Sequence, residues 1–115
     1  MKGLMGWRTM LALAALYNLV IGGLALLGPG DTNGHVVGLL VACFGLVYAL
    51  AASEPLRFAP VLWAGVVGKL GVIALVGPQV RAGTAMPGAG FVLAGDVLFT
   101  LGFLTFLLWG QRASR

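Results

Sequence analysis

From Pro60 to Gly77 the chain reads PVLWAGVVGKLGVIALVG. This run is as long as a helix needs to be to cross a hydrocarbon core of ~30 Å, roughly 17–25 residues. It is apolar except for Lys69 near its middle. Three more runs of the same kind flank it, spanning about residues 8–27, 36–52 and 90–109. None alternates apolar and polar residues with period two, as a transmembrane barrel strand would. The expected fold is therefore an all-α integral membrane protein, a bundle of four transmembrane helices forming a single membrane domain over residues 1–115.

Composition supports the same reading. Of the 115 residues, 60% are apolar or aromatic and only 9% are charged, against about half and a quarter in ordinary soluble domains. So few charges cannot cover a soluble globule, and so apolar a chain does not stay disordered. The formal charge of +4 is scattered along the chain and forms no basic stripe, so no nucleic-acid partner is expected. The expected partners are the lipid bilayer and further copies of the chain or other membrane subunits. No cofactor or metal is called for.

Loops are read from turn chemistry. Gly28-Pro29-Gly30-Asp31-Thr32-Asn33-Gly34-His35 separates the first two spans. Ser53 to Ala59, bracketed by Pro55 and Pro60, is short enough to make spans two and three antiparallel neighbours. The last break runs from Gly77-Pro78-Gln79 to Pro87-Gly88. Lys2, Arg8, Arg57, Arg112 and Arg115 then fall on one side, and Arg81 alone on the other. The positive-inside rule predicts cytoplasmic termini, in a bacterial inner membrane, with Trp7, Trp63 and Trp109 near the cytoplasmic interface. The first span is longer than a signal-peptide core and lacks an Ala-x-Ala site, so it is expected to be retained. Cys43, the single cysteine, reads as a small apolar packing residue.

Lys69 and Asp96 are the two charged residues well inside the spans. A charge at that depth costs about 2.5–3.5 kcal/mol on insertion scales and seeks a partner or a wet cavity. Opposite sign on consecutive spans makes an ion pair the economical arrangement, direct or bridged by water. At ~1.5 Å per residue their Cα atoms differ in depth by about 6 Å, a gap that a lysine stem can close. Such a pair can lock two helices together. It can equally relay a proton or ion through Asp96, or present Lys69 to an anionic or carbonyl-bearing ligand.

Asn18, beside Tyr17 at the centre of span one, is either glue between helices or a third member of that polar cluster. Thr100, four residues after Asp96, shares its face. Its hydroxyl either extends a polar track or returns a hydrogen bond to its own backbone. Tyr48 is expected as an interfacial ring near the cytoplasmic end of span two. Glu54 reads as a surface partner of Arg57, or as an acid–base group if the protein is an enzyme. His35, alone at the start of span two, has no companions at metal-ligand spacing.

Nineteen glycines argue for close helix contacts. Gly34-x-x-x-Gly38-x-x-x-Ala42 and Gly45-x-x-x-Ala49 mark two faces of span two, and a second face suggests contact with another subunit. Gly65, Gly68 and Gly71 surround Lys69 and leave room beside its stem. Gly95 and Gly102 open a face on span four.

In length and span number the chain is similar to the small multidrug resistance transporters, but span one lacks the acidic residue those use. Gly68-Lys69, and Gly95-Asp96 followed by the aromatic-rich run Phe99 to Trp109, resemble small bacterial four-helix membrane proteins of a broadly DoxX-like kind. That resemblance implies a four-helix bundle and carries no chemistry with it. The functional expectation is a non-enzymatic membrane module, either a subunit of a larger assembly or an oligomeric carrier of a small solute or proton. The alternative is a membrane-embedded enzyme acting on a lipid or other apolar substrate.

Overall fold

The structure, a computed structural model, describes residues 2–85 and 87–113, with side chains from residue 4 onward. Arg115 and the Lys2 side chain, both used above for orientation, lie outside the described residues. Helix α1 covers Lys2–Leu27, α2 Thr32–Ser53, and α3 is the short Pro55–Phe58. A 3₁₀ turn at Ala59–Val61 leads into α4, Leu62–Ala82. Helix α5 covers Ala89–Thr105 and continues through a π turn, Phe106–Gly110, into α6, Gln111–Ala113. Among the described residues, four helical segments are long and apolar enough to cross a membrane. The long axis of the molecule is 44 Å, matching a bilayer with its headgroups, ~40–45 Å.

Helix ends follow local chemistry. Asp31 caps α2, its Oδ1 accepting from the Gly34 N–H at 2.8 Å. His35 Nε2–H donates to the Gly28 carbonyl at 2.9 Å and ties down the preceding loop. Pro55 opens α3 at a first-turn position where no amide donor is missed. One expected boundary is wrong: α4 does not stop at Gly77-Pro78 but runs on to Ala82. A proline clashes with the Cβ of the residue before it, and here that residue is a glycine. The helix ends instead at Gly83, which takes φ 76°. There Thr84 N–H reaches Gln79 O at 2.9 Å and Gly83 N–H reaches Val80 O at 3.1 Å.

The four long helices form a ring in the order α1, α2, α4, α5, built as two hairpins. Within α1/α2 the backbones nearly touch. A Cβ on Gly22 would stand 2.7 Å from Gly38 O, and one on Gly38 would stand 2.5 Å from Leu26 N. On Gly45 it would meet Leu19 Cγ at 2.8 Å and Ala15 O at 3.0 Å. Both glycine series of α2 therefore contribute to the contact with α1. Cys43, read as a small apolar packing residue, is exposed on the outer surface of α2.

Between the hairpins the contacts are made by large side chains seated on glycines. Tyr48 of α2 packs on Gly65 of α4, Tyr17 of α1 on Gly95 of α5, and Trp7 on Gly110. Leu11, Tyr48, Leu62, Phe103 and Phe106 are the largest fully buried side chains and gather toward the end that carries both termini. At that end Arg8 Nε donates to Ala52 O at 3.0 Å, and the Trp7 and Phe106 rings lie 5.3 Å apart. Outward-facing residues such as Leu24, Val67, Leu75 and Leu98 are exposed, a surface compatible with a bilayer.

The close α1/α2 contact yields a prediction. Gly38→Val is expected to destabilise the bundle by about 1–3 kcal/mol through overpacking. Gly71→Val, where a Cβ meets nothing within 4 Å, serves as the control and is expected to change stability by less than ~0.5 kcal/mol. Helicity during unfolding in mixed micelles measures both; equal midpoints would refute backbone contact at Gly38.

Candidate functional site

Halfway along the bundle the expected ion pair is direct. Lys69 Nζ, from α4, donates to Asp96 Oδ1, from α5, at 2.7 Å. The lysine and aspartate side chains are 7% and 10% exposed, so the charges are held out of solvent. Lys69 Nζ also donates to Asn18 Oδ1 at 3.2 Å. Asn18 in turn donates through Nδ2 to the Val41 carbonyl at 3.1 Å. Asn18 is thus both proposed things at once, a link from α1 to α2 and the third member of the cluster.

Three aromatic faces surround the ammonium. Lys69 Nζ lies 5.3 Å from the ring centre of Tyr17, 5.7 Å from that of Tyr48 and 6.0 Å from that of Phe99. A cation over a ring face is attracted by the quadrupole, by ~2 kcal/mol or more when water is excluded. The carboxylate, the amide oxygen and the three rings together replace the hydration that Lys69 lost on burial.

Tyr48 departs from its expected place. It is 1% exposed and stands in the core with its ring 4.9 Å from that of Phe103. The reason is Gly65, whose missing side chain leaves the socket that the ring occupies. Tyr17 donates from its hydroxyl to the Val92 carbonyl at 2.6 Å, over Gly95. Thr100 is buried and returns its hydroxyl proton to the Asp96 carbonyl at 2.6 Å; it braces α5 and extends no polar track. Glu54 pairs with Arg57 at 3.3 Å on the surface, and His35 ties the α1–α2 loop, so neither joins the cluster. Phe99 was not singled out from sequence, although it follows Asp96 by three residues and so stands on a neighbouring face. Among the described residues no three His, Cys, Asp or Glu side chains gather as metal ligands.

Beside the cluster lies a cavity of about 360 Å³. Its polar lining residues are Tyr17, Asn18, Tyr48, Lys69 and Asp96, and the remaining wall is aliphatic, aromatic or glycine. Its rim includes Val37 and Leu40 of α2 and Gly68 and Val72 of α4, all exposed. The cavity therefore opens sideways through the wall of the bundle, between α2 and α4. Gly68 faces open space, which widens that mouth. Comparison of the chain with protein-family models, with curated proteins and with solved structures gives no match.

The ion pair makes a separable prediction. Asp96→Ala leaves a buried ammonium without its counter-charge and is expected to destabilise the bundle by about 3–5 kcal/mol. The double variant Lys69→Met/Asp96→Leu removes both charges and is expected to lose markedly less than Asp96→Ala alone. Unfolding in mixed micelles distinguishes the two. A double variant as unstable as the sum of its singles would show that the charges are not coupled.

Proposed function

We propose that this chain is a non-enzymatic, multi-pass membrane module that takes a lipophilic small molecule from the bilayer and holds it against the Lys69–Asp96 pair. The observation that carries this reading is the cavity of about 360 Å³ beside a buried ion pair, with a mouth in the outward-facing wall of the bundle. Ligand sites of ~300–1,000 Å³ are mostly apolar with a few convergent polar groups, and this cavity has that composition. A molecule dissolved in the lipid reaches such a mouth without crossing water. In this reading both termini face the cytoplasm of a bacterial cell, supported by the basic residues Arg8, Arg57 and Arg112 at one end. The module works as repeated copies or beside other membrane subunits, handing the ligand on or storing it.

Proton relay is less well supported, because among the described residues the wall beyond the cluster is apolar and offers no chain of polar groups. The enzyme alternative shares the cavity, since an apolar substrate needs the same space. Against it, among the described residues no Ser, Thr, Cys or His lines the cavity, and the acid–base candidate Glu54 sits at the bundle end. Asp96 is already bonded to Lys69 through Oδ1.

Extraction of the protein from its native membrane in mild detergent tests the proposal. The purified protein is expected to carry a near-stoichiometric lipophile detectable by mass spectrometry. Gly68→Phe, which projects a ring into the mouth, is expected to reduce that content at least about tenfold, the equivalent of 1.4 kcal/mol in binding. Equal lipophile content in wild type and Gly68→Phe would contradict the proposal.

A further inference from the structure

The polar groups at the cavity leave a particular set of bonds unmade. Tyr48 is almost completely buried and lines the cavity, yet its hydroxyl has no hydrogen-bond partner among the described residues. A buried tyrosine hydroxyl normally finds a partner, because an unmade bond costs the full desolvation of the group. Asp96 bonds Lys69 through Oδ1 alone, and its second carboxylate oxygen likewise has no partner among the described residues. The polar residues lining the cavity thus hold an unmade O–H donor on Tyr48, an unmade carboxylate acceptor on Asp96, and the third N–H of Lys69, which has aromatic rings around it. Tyr48 and Asp96 both neighbour the same ammonium, the Tyr48 ring centre 5.7 Å and Asp96 Oδ1 2.7 Å from Lys69 Nζ.

Charge narrows the choice of ligand. Lys69 and Asp96 already neutralise each other, so the site as a whole carries no net charge. An anionic head would compete with Asp96 for the ammonium, and a cationic head would compete with Lys69 for the carboxylate. Either would bring an uncompensated charge into a wall that is otherwise apolar, where isolated charge is strongly disfavoured. A neutral carbonyl can accept from Tyr48 or from the third N–H of Lys69 but has nothing to give to Asp96. A neutral hydroxyl accepts from Tyr48 and donates to Asp96, completing both. A purely hydrocarbon ligand would leave both groups unsatisfied.

Resting on the ligand-binding function proposed above, we infer that the ligand is a neutral lipophilic alcohol whose hydroxyl bridges Tyr48 and Asp96 while its hydrocarbon tail leaves through the α2–α4 mouth. Tyr48 and Asp96 select the head group. Asn18 and the three aromatic rings hold Lys69, and through it Asp96, in position. The glycine at position 68 keeps the tail's exit open.

Five photoreactive probes with one shared diazirine-bearing alkyl chain test this in bilayers containing the full chain: a primary alcohol, a methyl ketone, a carboxylic acid, an amine and the bare hydrocarbon. Crosslinks are mapped to the α2 and α4 peptides that contain Val37, Leu40 and Val72. The alcohol is expected to label these best, the ketone less, and the other three least. Tyr48→Phe, which removes a hydroxyl with no partner and so keeps the fold, is expected to lower alcohol labelling about threefold to tenfold. The same variant leaves hydrocarbon labelling unchanged. Strongest labelling by the acid or the amine, or hydrocarbon labelling equal to that of the alcohol, would overturn the head-group inference and leave the ligand-binding function standing. So would an alcohol signal indifferent to Tyr48→Phe. No cavity labelling by any of the five probes would overturn the ligand-binding function itself.

Discussion

Lys69 is a charge in the middle of a bundle whose outer surface is apolar, and the centre of the molecule is arranged around satisfying it. The ammonium draws Asp96 from α5 and Asn18 from α1, and Asn18 holds the α2 backbone at Val41. One side chain from α4 is thereby tied to every other long helix. Three aromatic rings complete its surroundings. A buried ion pair often adds little net stability compared with apolar residues of the same volume. Here the pair joins α4 to α5 within one hairpin, and the Lys69–Asn18 bond links that hairpin to α1/α2.

Glycine placement makes that arrangement possible. In α1/α2, Gly22, Gly38 and Gly45 bring two backbones together. Across the hairpins, glycines instead receive rings: Gly65 takes Tyr48, Gly95 takes Tyr17 and Gly110 takes Trp7. The first kind of contact is tight and leaves no space. The second holds the hairpins apart by the width of an aromatic ring, and the cavity lies in that gap beside Lys69. Packing and site thus share a cause, since two of the rings that separate the hairpins, Tyr17 and Tyr48, also face the ammonium.

Much of this was readable from residue order, and the misreadings have physical reasons. Four long apolar runs imply four helices because few other structures satisfy a backbone in hydrocarbon. Lys69 and Asp96 stood out because charges at that depth are expensive, and Asn18 stood out for a weaker form of the same reason. Boundaries were less legible. Pro78 looked like a stop, but Gly77 before it has no Cβ to meet the proline ring, and α4 continues to Ala82. Tyr48 was read by its depth along the helix, which says nothing about rotation; the socket that claims it is Gly65, on a different helix. The second glycine face of α2 looked available to another subunit because spacing shows a face without showing what covers it. The glycines around Lys69 signalled room beside its stem, but the extent of the cavity and its mouth follow from where two hairpins stop touching.

The claim on which the rest stands is a direct bond between Lys69 and Asp96 in the bilayer. Each type occurs only twice in the chain, as Lys2 and Lys69 and as Asp31 and Asp96, so isotope labelling by residue type suffices. Dipolar-recoupling solid-state NMR between lysine ¹⁵Nζ and aspartate ¹³Cγ, in lipid membranes, measures the separation. A charge-assisted bond predicts about 3.5 Å, abolished in Asp96→Asn protein prepared with the same labels. A separation beyond about 6 Å, well outside bonding range, would contradict the account.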